Sequence, residues 1–173
     1  MIKGFGAVLT VFVLFCGSAQ AEEKAIWNFL IENDSISNTD SNYTNGGRIG
    51  YLSPTGRGEH LARRLLWAKA GDKTRFGIAF GQSIFTPQDI QAIAALPHQE
   101  PYAGWLYGEF SVHAERENNI HDSLVIDLGV VGPLALGRQV QNNFHDLIGI
   151  SGAKGWANQL RNEPGLIVTF ERK

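Results

Sequence analysis

The sequence predicts an all-β chain, the wall of a membrane-spanning antiparallel β-barrel with a helix in one long extracellular loop. Three observations lead there. Apolar residues recur with period two over segments of about ten residues, beyond residue 21 no apolar run reaches the ~18 residues of a membrane helix, and glycine is abundant at 20 of 173. A hydrophobic content of 43% excludes a disordered or collagen-like polymer, and the length suits one domain. Lys and Arg number 15 against 17 Asp and Glu, a formal charge of -2 that leaves no cationic excess for a nucleic-acid backbone.

The elements follow in chain order. Lys3, the apolar run to Phe15 and Ala19-Gln20-Ala21 have the layout of a cleaved secretory signal peptide over 1–21, leaving 22–173 as the barrel domain. The one cysteine, Cys16, leaves with the leader, so the exported chain must hold without disulfides. Six strands are then expected near 25–33, 44–52, 75–84, 102–115, 123–132 and 165–171. The clearest sets Phe76, Ile78, Phe80, Gln82 and Ile84 against Arg75, Gly77, Ala79, Gly81 and Ser83. In the next two, Leu106, Phe110, Val112 and Ala114 oppose Glu109, Ser111 and His113, and Leu124, Ile126, Leu128 and Val130 oppose Asp127 and Gly129. A soluble sandwich alternates too, but with shorter strands and more frequent turns. Trp27, Tyr51, Tyr102 and Trp105 lie near strand ends, where interfacial aromatic girdles belong and where ordinary core packing would serve as well.

Connection lengths orient the wall, because outer-membrane barrels keep short turns in the periplasm and long loops outside. The short 116–122 segment is therefore periplasmic, and 34–43, 86–101 and 133–164 are outside. The long 53–74 segment falls on the periplasmic side, and its Leu61, Leu65, Leu66 spacing with Arg63 and Arg64 reads as an amphipathic helix without an assigned function. In the longest outer loop Val140, Phe144, Leu147 and Ile148 recur at helical spacing, a stripe expected to pack on something apolar. Gln141 and His145, four apart, share the side beside it. Asn33 and Asp34 end the first strand and Thr44 begins the second at the same rim, although Asx-rich turns explain that stretch equally well.

Several motifs together resemble one family, the outer-membrane lipid A 3'-O-deacylases of the LpxR type. They are Glu32-Asn-Asp-Ser-Ile36, Asn42-Tyr-Thr-Asn-Gly-Gly-Arg-Ile-Gly-Tyr51, Gly81-Gln-Ser-Ile-Phe-Thr-Pro87, Pro101-Tyr-Ala-Gly-Trp105 and Gly137-Arg-Gln-Val-Gln-Asn-Asn-Phe-His-Asp-Leu-Ile-Gly149. The resemblance implies an outer-membrane enzyme that removes an ester-linked acyl chain from lipid A of lipopolysaccharide, with calcium as cofactor. It places Asn33, Asp34, Thr44, Gln141 and His145 at the active-site positions. His145 would be the general base, Asp34 and Asn33 calcium ligands, and Thr44 and Gln141 would position substrate or water. Three features depart from the family pattern: Ser151 stands where an acidic residue follows the histidine, Gln99 and Glu100 stand where basic residues are expected, and about six strands stand against an implied twelve. Six strands leave two open edges, so the chain by itself is expected neither to close a barrel nor to act as an active monomer.

Three other readings fit the residues less well. They are a non-catalytic or degenerate barrel fragment, a serine-type outer-membrane phospholipase built on Ser83, and a periplasmic calcium-binding sandwich. Gly81-Gln-Ser-Ile-Phe85 is not G-x-S-x-G, which weakens the second.

Overall fold

The computed structural model describes residues 9–14, 24–33 and 42–173, and at residues 9–14, 33, 42–44 and 118 it describes the backbone alone. One antiparallel sheet runs in sequence order through β1 (Leu9–Leu14), β2 (Ile26–Asn33), β3 (Asn42–Leu52), β4 (Lys73–Thr86), β5 (Ala103–Glu115), β6 (His121–Val131) and β7 (Glu163–Arg172). Six of these strands are the expected ones. The seventh, β1, was not expected: it falls within the apolar run read as a leader, where Thr10, Val11 and Val13 favour an extended backbone that pairs with β2 from Leu9↔Asn33 to Leu14↔Asn28.

The ladders sort the side chains into two faces. One cross-strand row reads Trp27, Tyr51, Ile78, Phe110, Ile126, Val168, and the next on that face reads Phe29, Ile49, Phe80, Gly108, Leu128, Leu166. The intervening row is Asn28, Gly50, Ala79, Glu109, Asp127, Ile167. Ile78, Phe80, Leu128, Leu166 and Val168 are exposed, a surface that water disfavours and hydrocarbon accepts. On the polar face the Arg48 guanidinium grips both Glu109 carboxylate oxygens, at 3.0 and 2.6 Å, and donates to Asn28 Oδ1 at 2.6 Å. Gly81 is small there of necessity, since any side chain would run into the Tyr107 ring across the ladder. The sheet is thus a barrel wall with a lipid face and a luminal face.

Connections 34–41, 87–102 and 132–162 leave from one end of the wall, and 53–72 and 116–120 from the other, as the loop lengths indicated. At the short-turn end, α1 (Glu59–Leu66) lies on the lipid face, with Ala62 and Leu66 buried against Val112 and Ala114. Arg116 holds it there by donating to the Leu66 carbonyl while pairing with Asp122, which is itself gripped by Arg172. At the other end, α2 (Gly137–Ile148) also lies against the lipid face, over the ends of β4 and β5. Among the described residues no helix is long and apolar enough to cross a membrane.

Buried Asp122 is the one anion between two guanidinium groups. Asp122→Ala is expected to lower the unfolding free energy by about 2 kcal/mol, less than for a fully enclosed pair because Arg172 reaches solvent. Urea titration of the folded protein in lipid vesicles measures this, and an unchanged midpoint would contradict the clamp.

Candidate active site

Close backbone contact seats α2. A side-chain carbon on Gly104 would sit 3.0 Å from Ala135 Cβ and 3.1 Å from the Gly137 nitrogen, so glycine lets the start of the helix lie close on β5 without displacing it. The Gln82 amide donates to the Ala135 carbonyl and tethers the short turn that precedes the helix. The two other long segments are stitched together beside it. Tyr102 Oη donates to the Ile90 carbonyl at 3.1 Å, Lys154 N donates to the same oxygen at 2.9 Å, and Asn142 Oδ1 accepts from Ala153 N at 3.0 Å. The Tyr102 and Trp156 rings meet at 4.9 Å and form a small core with Ile84 and Ala153.

Against that core α2 turns a polar side. Its buried residues are Gly137, Gln141 and His145, whereas Val140, Leu147 and Ile148 are exposed, Leu147 by 82%. The apolar surface expected beneath the stripe is thus not the protein core. The helix lies on the lipid side of the wall, so its outward surroundings are hydrocarbon and the apolar stripe belongs outside.

Two hydrogen bonds define the buried pair. Trp156 Nε1 donates to Gln141 Oε1 at 2.9 Å, and because an indole nitrogen only donates, the oxygen end of the amide is fixed towards Trp156. Gln141 Nε2 is then buried with no hydrogen-bond partner among the described residues, an arrangement that costs roughly 1–3 kcal/mol unless a ligand completes it. His145, 3% exposed, lies with Nδ1 3.1 Å from the Ser151 carbonyl oxygen. A carbonyl only accepts, so Nδ1 is the ring nitrogen that carries a proton in this contact. The Ser151 backbone thus orients the ring, a role its side chain could not have announced in the sequence.

The other expected site residues fall at the same end. Asn33 heads a ladder row that continues through Asn45 and Ile84 to Gly104, directly under the start of α2. Thr44 is the extra residue of a β-bulge, since Tyr43 pairs with Phe85 and Asn45 with Ile84; bulges re-aim side chains and gather beside active sites. Asp34 lies outside the described residues. Among the described residues no group of three His, Cys, Asp or Glu side chains comes together as a metal cluster. Periodicity had nothing to say about Trp156, a lone aromatic in an irregular loop. Nor did it reveal the contact of His113 Nε2 with Ser111 Oγ at 3.1 Å on the luminal face, where His121 rather than a carboxylate adjoins the histidine ring.

Fold and site together describe an outer-membrane barrel wall whose buried polar centre lies between the wall and a loop helix, on the side that meets lipid. The chain belongs to the LpxR family: the family model described as outer membrane protein LpxR matches residues 5–173. Among solved structures it is similar to LpxR from Salmonella typhimurium, with a TM-score of 0.60 and 23% identity. That match covers 75% of this chain and 40% of the other, so the matched part spans well under half the length of the solved protein. No curated protein matches the chain.

A side-chain carbon on Gly137 would lie 2.8 Å from the Trp156 ring. Gly137→Val is therefore expected to lift α2 and expose 133–162 to limited proteolysis at least about tenfold faster while the strands stay protected. Unaltered cleavage of that loop would show that the close contact does not seat the helix.

Proposed function

We propose that this chain carries the reacting centre of an outer-membrane lipid A 3'-O-deacylase, which hydrolyses an ester-linked acyl chain of lipopolysaccharide. The observation that carries the reading is the orphaned amide of Gln141 one helical turn from a tautomer-fixed His145, on the lipid-facing side of the wall. An acyl chain in the bilayer reaches that side directly, whereas the lumen would require it to leave hydrocarbon.

In this mechanism His145 Nε2 takes a proton from a water molecule as the water oxygen attacks the ester carbonyl. The tetrahedral intermediate puts negative charge on the former carbonyl oxygen, where the buried Gln141 Nε2 donates a hydrogen bond. Collapse breaks the bond to the sugar oxygen, and imidazolium returns its proton to that oxygen. The products are a sugar hydroxyl and a fatty acid. The Ser151 carbonyl holds the imidazolium through Nδ1–H, the part a carboxylate plays in other hydrolytic sites. Thr44, at the bulge, positions substrate or water.

By residue type, the Asn33 amide at the end of β2 and the Asp34 carboxylate that follows it in sequence offer the hard oxygen donors that calcium takes. When bound, the ion would supply positive charge that polarises the ester carbonyl. Export through a leader cleaved after Ala21 belongs to the same proposal, and it would remove β1 and leave β2 as an edge strand.

Lipid A mass spectrometry on membranes in which this chain forms part of a complete barrel tests the assignment. His145→Ala is expected to lower loss of the acyl chain by at least ~10²-fold, and Gln141→Ala by roughly 10²–10³-fold, with barrel assembly intact. Undiminished deacylation in either variant would remove that residue from the mechanism. A calcium chelator is expected to stop the reaction and added calcium to restore it, while Asp34→Asn raises the calcium concentration required. Full activity in chelator would exclude the metal.

A further inference from the structure

At the end of the wall opposite α2, nothing in the hydrolytic site explains α1 and the turn that follows it. α1 is clamped on the lipid face by buried Ala62 and Leu66, with Leu61 and Leu65 half-buried at its flanks. Its opposite side therefore looks away from the wall, just beyond the apolar belt of Ile78, Phe80 and Phe110. That side is basic. Arg57, Arg63, Arg64 and Lys69 are all exposed, in a chain whose formal charge is -2 overall. Arg63 is paired with Glu59 at 2.6 Å, while among the described residues no ion pair engages the Arg57, Arg64 or Lys69 side chains. Trp67 closes the helix in a left-handed conformation and is 75% exposed, an amphipathic ring held out beside the cations.

We infer that α1 and residues 67–69 dock on the anionic phospholipid headgroups of the periplasmic leaflet, with Arg57, Arg64 and Lys69 contacting phosphate diesters and Trp67 lodged at the headgroup level. Charge complementarity and position identify the occupant. Cations and an exposed tryptophan set immediately outside an apolar belt are what the headgroup layer of a bilayer accommodates. The Arg116 bonds to the Leu66 and Trp67 carbonyls fix the helix to the wall, so the surface is presented without an ordering cost on contact. The inference depends on the wall spanning the outer membrane and on no part of the deacylase reading.

Flotation of the full chain with phosphatidylcholine vesicles, with and without about a third phosphatidylglycerol, tests it. Each headgroup-facing cation raises affinity for an anionic surface severalfold, so the anionic vesicles are expected to bind at least about tenfold more tightly, a preference lost in about 0.5 M salt. Arg57→Gln/Arg64→Gln/Lys69→Gln should abolish that preference and leave binding to neutral vesicles unchanged. The charge-conserving Arg57→Lys/Arg64→Lys should keep the preference, separating loss of charge from loss of fold. Arg138→Gln/Arg161→Gln, at the α2 end, should keep it as well. Equal binding to both vesicles, a preference that survives the triple substitution, or one abolished by changes at the α2 end would overturn the inference. So would crosslinks from position 64 to a protein in place of lipid.

Discussion

Backbone hydrogen bonding in a medium without water is the constraint on which the rest of this structure depends. Each peptide group carried into hydrocarbon needs a partner, and the β2–β7 ladders provide one strand by strand. Pairing of that kind fixes the side-chain period at two. The row of Ile78 and Phe110 must then face one way and the row of Ala79 and Glu109 the other, and a one-residue slip would place Arg48, Glu109 and Asp127 in lipid. The Arg48–Glu109–Asn28 network opposes such a slip, because its partners come from three different strands and meet in one register only.

Both helices are consequences of the same partition. Each is laid on the lipid face, and each answers it with opposite polarity. α1 buries Ala62 and Leu66 and turns arginines outward beyond the apolar belt, whereas α2 buries Gln141 and His145 and turns Leu147 and Ile148 outward. The second arrangement is possible because Gly104 and Gly137 let the two backbones meet, which brings the polar side of α2 close to the wall. Burial there raises the cost of the amide that Gln141 leaves without a partner.

The strands were legible because a two-sided wall writes its period directly into the sequence. The two faces of β4 and β6 were read correctly, although β4 runs on from Lys73 to Thr86 and β6 ends at Val131, before the expected Gly132, and both helices were placed from their apolar spacing. Which way α2 faces was not legible. A hydrophobic stripe shows that one side is apolar, but whether that side is core or surface depends on the solvent around the helix, which only its position on the wall supplies. His145 and Gln141 were found through family-like motifs, while Trp156 and the Ser151 carbonyl were invisible: one is a lone ring in an irregular loop, the other a backbone atom that any residue would provide. The bulge at Thr44 escaped for a related reason, since a single extra residue disturbs no periodicity that six or eight neighbours maintain. The strand in the apolar run near the N-terminus shows the converse, because β-branched residues support a ladder and a leader alike.

The proposed hydrolysis takes place on the lipid side of the wall, under α2, and not in the lumen. Photo-crosslinking tests it most directly: a lipid A analogue with a diazirine beside its ester-linked carbonyl is added to membranes that hold the protein, and the adducts are mapped by peptide mass spectrometry. Adducts are expected on α2 around Gln141 and His145 and on the neighbouring 151–156 segment, competed away by unlabelled lipid A. Adducts concentrated instead on luminal residues such as Arg48, Glu109 or His113 would contradict it.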